Sequence, residues 1–119
     1  MPHYSVILTK DVRRRYSEPG RFSDPSLLIL SSLAAGPKHG YAMIQDIEQF
    51  SGTRLEPGTL YGAIARLERR GWIAPLEAQD RRRPYALTAA GGQALRSQLP
   101  TLHRVATTGM QRLGIDSSR

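Results

Sequence analysis

Apolar residues recur with a helical period over three successive stretches of the chain. Leu27-Leu28-Ile29-Leu30, followed by Leu33-Ala34, is apolar almost all round. That pattern marks a helix central to a core. Asp24 offers a side-chain acceptor for the first orphan N–H groups, and Pro25 loses no bond at the first helical position. Gly36-Pro37 ends the stretch. In the second, Tyr41, Ile44 and Ile47, with Met43 and Phe50, follow i, i+3, i+4 spacing, while Gln45, Asp46, Glu48 and Gln49 fill the polar side. It begins near His39-Gly40, with His39 as a turn residue or cap, and Gly52 suits its C-terminus. A third helix starts at Pro57, with Leu60, Ile64, Leu67 and Gly71 on one face. Thr59, Gly62, Arg66, Arg69 and Arg70 fall on or near the other.

The period then changes. Residues 72–77 and 83–88 read as short strands, joined by the polar turn Ala78-Gln79-Asp80-Arg81-Arg82. Each strand holds a proline, Pro75 and Pro84, which predicts that neither lies mid-sheet. Thr88 caps a last helix in which Leu95, Leu99, Leu102, Ala106, Gly109 and Leu113 step by four and three. That is a heptad seam, too short to stand alone and so expected to pack against something. Pro100 is expected to kink or divide it.

Three helices, a two-stranded hairpin and a fourth helix make a mainly α chain with a small β-hairpin, the layout of a winged helix-turn-helix followed by a C-terminal dimerisation helix. The expected divisions are a basic N-terminal arm over 1–23, with short structure at Tyr4–Thr9, the winged domain over 24–88, and the dimerisation helix and tail over 89–119. A chain of 119 residues is one domain on length alone.

Charge sharpens the picture. Residues 24–53 sum to −2, while 1–23, 54–83 and 84–119 each sum to +3, giving +7 in total. Arg supplies 15 of the 17 basic residues. Its planar fork matches phosphate and guanine edges, where Lys offers a point charge. A mildly acidic apolar scaffold flanked by Arg-rich segments points to a polyanion such as duplex DNA.

Other chemistries are poorly supplied. With no Cys there is no disulfide, thiolate zinc site or thiol nucleophile. His3, His39 and His103 lie far apart, with no metal or acid–base motif, so neither an enzyme nor a metal site is expected. No run approaches the length of a membrane span, and Val6-Ile7-Leu8 is too short for a signal peptide. A cytoplasmic protein without membrane contact is the expectation.

Pro57-Gly58-Thr59-Leu60-Tyr61, then Arg66-Leu67-Glu68 and Gly71-Trp72-Ile73, is similar to the signature of the PadR family of bacterial transcriptional regulators. His39-Gly40-Tyr41 extends the resemblance, as does Arg82-Arg83-Pro84-Tyr85-Ala86-Leu87-Thr88 leading to Gly91. It runs from residue 25 to about residue 113, in the short form with a single C-terminal helix. Two positions depart from the family pattern. Glu56 stands where a small capping residue such as Ser is usual, and Gly62 where Pro is common. The resemblance implies a homodimeric repressor, acting often on neighbouring genes or its own and often relieved by a small planar or hydrophobic effector. It implies no cofactor and leaves the effector-binding residues unknown.

The candidate DNA contacts are Thr59, Tyr61, Gly62, Arg66 and Arg70 on the third helix, with Arg81, Arg82 and Arg83 at the wing. Tyr61 is either a backbone contact or a packing residue beside Leu60; Thr59 is either a contact or a second cap. Trp72 reads as a core residue closing the third helix onto the wing. The candidate dimer seam is Leu95, Leu99, Leu102, Ala106 and Leu113. The main alternative is a winged-helix module that binds protein without sequence-specific DNA binding, which would need an apolar patch where the Arg stripe lies.

Overall fold

The computed structural model describes residues 24–115, so the arm and the expected short structure at Tyr4–Thr9 lie outside the described residues. The element order is α1 (Pro25–Leu33), β1 (Lys38–His39), α2 (Gly40–Ser51), α3 (Pro57–Arg69), β2 (Ile73–Pro75), β3 (Pro84–Leu87) and α4 (Ala89–Leu113).

Local chemistry sets most of the boundaries. The Asp24 side chain accepts from Leu27 N at 3.2 Å and opens α1. His39 Nδ1 accepts from Ala42 N at 3.3 Å and opens α2. Gly52 closes α2 in the left-handed region, at φ 76°. Thr88 Oγ1 accepts from Gly91 N at 3.1 Å and opens α4.

α1 is the centre of the core. Leu27, Leu28, Ile29, Leu30 and Leu33 are all buried, and they pack against Met43, Ile44 and Ile47 of α2 and Leu60, Ala63, Ile64 and Leu67 of α3. Ile73 and Leu95 close the far side. Each large aliphatic side chain so buried contributes roughly 1.5–3 kcal/mol. Ser32, buried among them, donates to Asp46 Oδ2 at 2.7 Å, and Lys38 Nζ donates to the Ser32 carbonyl at 2.6 Å. This polar tie joins α1, β1 and α2.

Several expectations are corrected. The sheet has three antiparallel strands in the order β1-β3-β2, because Lys38 and His39 pair with Tyr85 and Pro84. β3 is therefore the central strand despite its proline. Pro84 is its first residue, and the Pro84 carbonyl still accepts from Leu76 N at 2.8 Å. Tyr41 and Phe50 are not core residues; they are 55% and 50% exposed, because Met43, Ile44 and Ile47 already fill the face that α2 turns inward. Gly71 lies past the end of α3 at φ 77°, turning the chain toward β2. Pro100 does not divide α4, which runs unbroken through it for 25 residues.

Only Gly91 and Leu95 of α4 are buried. The C-terminal half of the helix is mostly exposed, and the molecule measures 54 × 29 × 26 Å along its principal axes.

Candidate nucleic-acid interface

α3 is held by its apolar face and free on the other. Leu60, Ala63, Ile64 and Leu67 are buried, while Thr59, Tyr61, Arg66, Arg69 and Arg70 are exposed. Pro57 supplies the first helical residue. Glu56 occupies the cap position but makes no side-chain cap bond, so the first-turn N–H groups have no protein acceptor from that side chain. Thr59 is exposed at the same end. Gly62 has open space beside it; a Cβ there would meet only the Arg66 guanidinium, at 3.7 Å.

Tyr61 is half-exposed, and its ring lies against the start of α2. A Cβ on Gly40 would overlap the Tyr61 hydroxyl and come within 2.7 Å of its Cζ, so the glycine of the His39-Gly40-Tyr41 segment makes room for this ring. Tyr61 thus lays the hydroxyl end of its ring against Gly40 while half of the residue stays open to solvent. Its neighbour Tyr85 has its phenol pushed up from the ordinary tyrosine value. Burial is the main cause, with a further rise from the Glu68 carboxylate, a partial offset from Arg83 and a small rise from Tyr61.

The wing turns through Gln79-Asp80-Arg81-Arg82. Gln79 N donates to Arg82 O at 2.7 Å, and Arg82 N to Gln79 O at 2.8 Å. Asp80 and Arg81 both sit at positive φ, 50° and 66°. Two successive left-handed residues are the geometry of a type I′ turn, which usually takes Asn-Gly. Here Arg81 holds the position that glycine favours.

The candidate Arg residues are in different circumstances. Arg70 lies over the Trp72 ring, 5.0 Å from its centroid, and Trp72 packs partly buried against the core as expected. Arg83 donates to the Leu76 carbonyl at 2.6 Å and braces the hairpin. Arg82 Nη1 lies 3.4 Å from His39 Nε2. Among the described residues the ion pairs are Lys38–Asp46 and Arg54–Glu48, leaving Arg66, Arg69, Arg81 and Arg82 without a carboxylate partner. A cleft of about 300 Å³ separates the start of α2, Tyr61 and the three wing arginines. His39 and Gly40 belong to this surface, and reading along the sequence misses them because β1 brings them to the wing from more than forty residues away.

The seam of α4 divides. Leu95 is buried in the chain's own core, while Leu99, Leu102, Ala106 and Leu113 are exposed. Val105 and Ile115, which heptad spacing does not select, are also exposed, at 65% and 51%.

A helix-turn-helix core with a sheet-borne wing defines a winged-helix protein. The family model of the PadR-like transcriptional regulators matches residues 29–97, more than half of the chain, and the chain belongs to that family. It is 48% identical over 85 residues to a 37.1 kDa protein in a transposon of Streptomyces fradiae; that stretch is 71% of this chain and 25% of the relative, so the chain spans about a quarter of that protein's length. A transcriptional regulator from Clostridium thermocellum superposes with TM-score 0.65 and 26% identity, over 85% of this chain and 96% of that one. A PadR family transcription regulator from Clostridium difficile shares the fold with TM-score 0.64 and 24% identity, over 75% of this chain and 96% of that one. Among the described residues no helix is long and apolar enough to cross a membrane.

Proposed function

We propose that the chain is a dimeric repressor that binds a pseudo-palindromic operator in duplex DNA, with α3 in the major groove and the 78–84 wing alongside. The observation that carries this reading is the exposed face of α3. It presents Thr59, Gly62 and Arg66, with Arg66 in no ion pair among the described residues, on a helix whose other face is spent on the core. A major groove about 12 Å wide accepts one such helix. Gly62 lets the backbone approach closely there. The wing supports the reading through Arg81, kept in a backbone conformation that costs an L-residue about 1 kcal/mol or more. An arginine at that tip gains from the negative potential of a narrow A·T minor groove. A protein-docking module would want an apolar face on α3, and this one is polar and cationic. The exposed half of α4 supports dimerisation, which would set two recognition helices about 34 Å apart.

The test is a mobility shift of DNA from upstream of the protein's own coding region, run across salt concentrations. Arg66→Ala should cost on the order of 1–3 kcal/mol and relax specificity if it reads a base edge. If it touches phosphate alone, affinity should drop on every sequence and the salt slope should shrink by about one. Unchanged affinity and slope for Arg66→Ala combined with Arg70→Ala would remove α3 as the reader.

A further inference from the structure

His39 has two ring nitrogens and they face different partners. Nδ1 is spent on the Ala42 N–H at 3.3 Å, an obligatory donor, so Nδ1 is the acceptor. In the neutral ring the proton then sits on Nε2, because the bond one nitrogen makes fixes the tautomer at the other. Nε2 points at the guanidinium of Arg82, 3.4 Å away. A guanidinium only donates. Two donors therefore face each other, and neither satisfies the other. Asp80, at the tip of the same turn, lines the neighbouring cleft with Lys38 but forms no ion pair with Arg82 among the described residues.

Two donors so placed suit one shared anionic acceptor. One oxygen can sit within hydrogen-bond distance of both nitrogens. The surroundings suit a negative charge: the cleft is also lined by Tyr61, Arg81 and the first residues of α2, whose N-terminal end carries partial positive charge. The cleft lies between α3 and the wing, the two elements assigned to the groove and its flank. We propose that His39 and Arg82 together hold one phosphodiester oxygen of the duplex backbone, so that a single phosphate bridges the start of α2 to the wing. This assignment rests on the DNA-binding reading above. It gives the cap residue of α2 a second role: the cap orients the imidazole, and the orientation makes Nε2 a phosphate donor.

The experiment uses the full chain and a duplex recovered with it from a randomised DNA pool, beside a scrambled duplex of equal length. Binding is measured across salt for the wild type, His39→Asn, Arg82→Gln and the double variant. Asn is a strong N-cap, so His39→Asn keeps the helix start, and its shorter amide draws the donor back from the position Nε2 holds; matched thermal melting checks the cap. Arg82 is exposed, so Arg82→Gln disturbs no packing. Arg82→Gln should reduce the salt slope by about one. His39→Asn should weaken both duplexes by about tenfold, the worth of a hydrogen bond to a charged group. The double variant should lose less than the product of the two single losses, because both groups hold the same phosphate. Binding of His39→Asn at wild-type strength, or losses that multiply cleanly, would overturn the shared phosphate while leaving the DNA-binding reading intact. A wild type that retains no duplex from the pool overturns both.

Discussion

The first turn of α4 is seated directly on the backbone of Trp72: a Cβ on Gly91 would overlap the Trp72 carbonyl oxygen and lie 2.9 Å from its carbonyl carbon. Thr88 ties the same junction, its N–H donating to Trp72 O at 3.1 Å and its hydroxyl to Gly71 O at 2.6 Å. The direction in which α4 leaves the winged domain is thus set by backbone contact at the end of α3. Gly91→Ala should destabilise the fold by about 1–3 kcal/mol, since backbone cannot yield as a side-chain tip can. Gly92→Ala is the matched control. A Cβ there meets only Arg96 Nη1 and Leu87 Cδ2, each at 3.8 Å, so it should be neutral or stabilise α4 by up to about 1 kcal/mol. Denaturant titration of the two variants checks the pair. Equal effects would show that the Gly91 contact does not constrain the junction.

The wing tip separates stability from function. Arg81 at φ 66° carries backbone strain that glycine would relieve. Arg81→Gly should therefore raise the melting temperature, by the equivalent of about 1 kcal/mol, while weakening DNA binding and lowering its salt dependence. A more stable variant that binds as tightly as the wild type would show that the charge at the tip is only a solvated surface feature.

Much of this architecture was legible because its signals are local. Asp24-Pro25, Gly52 and Thr88 each act within one helical turn, and each does in the structure what its chemistry suggests. The expectations that failed at the sheet, at Tyr41 and Phe50 and along the α4 seam depend on residues distant in sequence. β1 is two residues long, too short to show a period, and becomes a strand only by pairing with Pro84 and Tyr85. That pairing puts β3 in the centre of the sheet. It also brings His39 to Arg82, a contact across 43 positions that no spacing rule reaches. Tyr41 and Phe50 share the helical period of their core neighbours, but period alone does not say how wide a face the rest of the core can cover. The α4 seam shows the same limit. Its repeat is real, yet only the packed fold shows that Leu95 is spent inside the chain's own core while Leu99 and Leu102 are not.

Glu56 leaves the start of α3 uncapped and places a carboxylate beside the helix end expected to approach phosphate. Glu56→Ser should supply a side-chain acceptor worth about 1 kcal/mol of stability. It should also tighten DNA binding at low salt, because a negative charge leaves the interface. Thermal melting and a mobility shift at two salt concentrations read the two effects separately. A tighter complex without added stability would assign the effect to charge alone, and no change in either would show that Glu56 faces water in both states.

The exposed half of α4 should bury its apolar face against a second copy. Leu99, Leu102 and Leu113 are 42%, 36% and 77% exposed, and Ala106 lies on the same seam. Gly109, with nothing within 4 Å of a Cβ, would let two backbones come close. Burying each leucine fully is worth roughly 1.5–3 kcal/mol, and partly exposed ones gain in proportion to the area still open. Three per chain, six per two-fold dimer, reach only the lower part of an association cost on the order of 4–15 kcal/mol, and Val105 and Ile115 supply further apolar area toward the rest. The interface should therefore extend over the whole of 99–115 and not stop at the heptad positions. Leu99→Glu with Leu102→Glu should give a folded monomer by sedimentation, with the helical content of the winged domain unchanged, because neither residue belongs to the core. That monomer should bind a half-site weakly and lose its preference for two half-sites spaced by one DNA turn. Val105→Glu alone should weaken the dimer measurably. A double variant that stays dimeric and folded would place the interface elsewhere, and with it the spacing of the recognition helices.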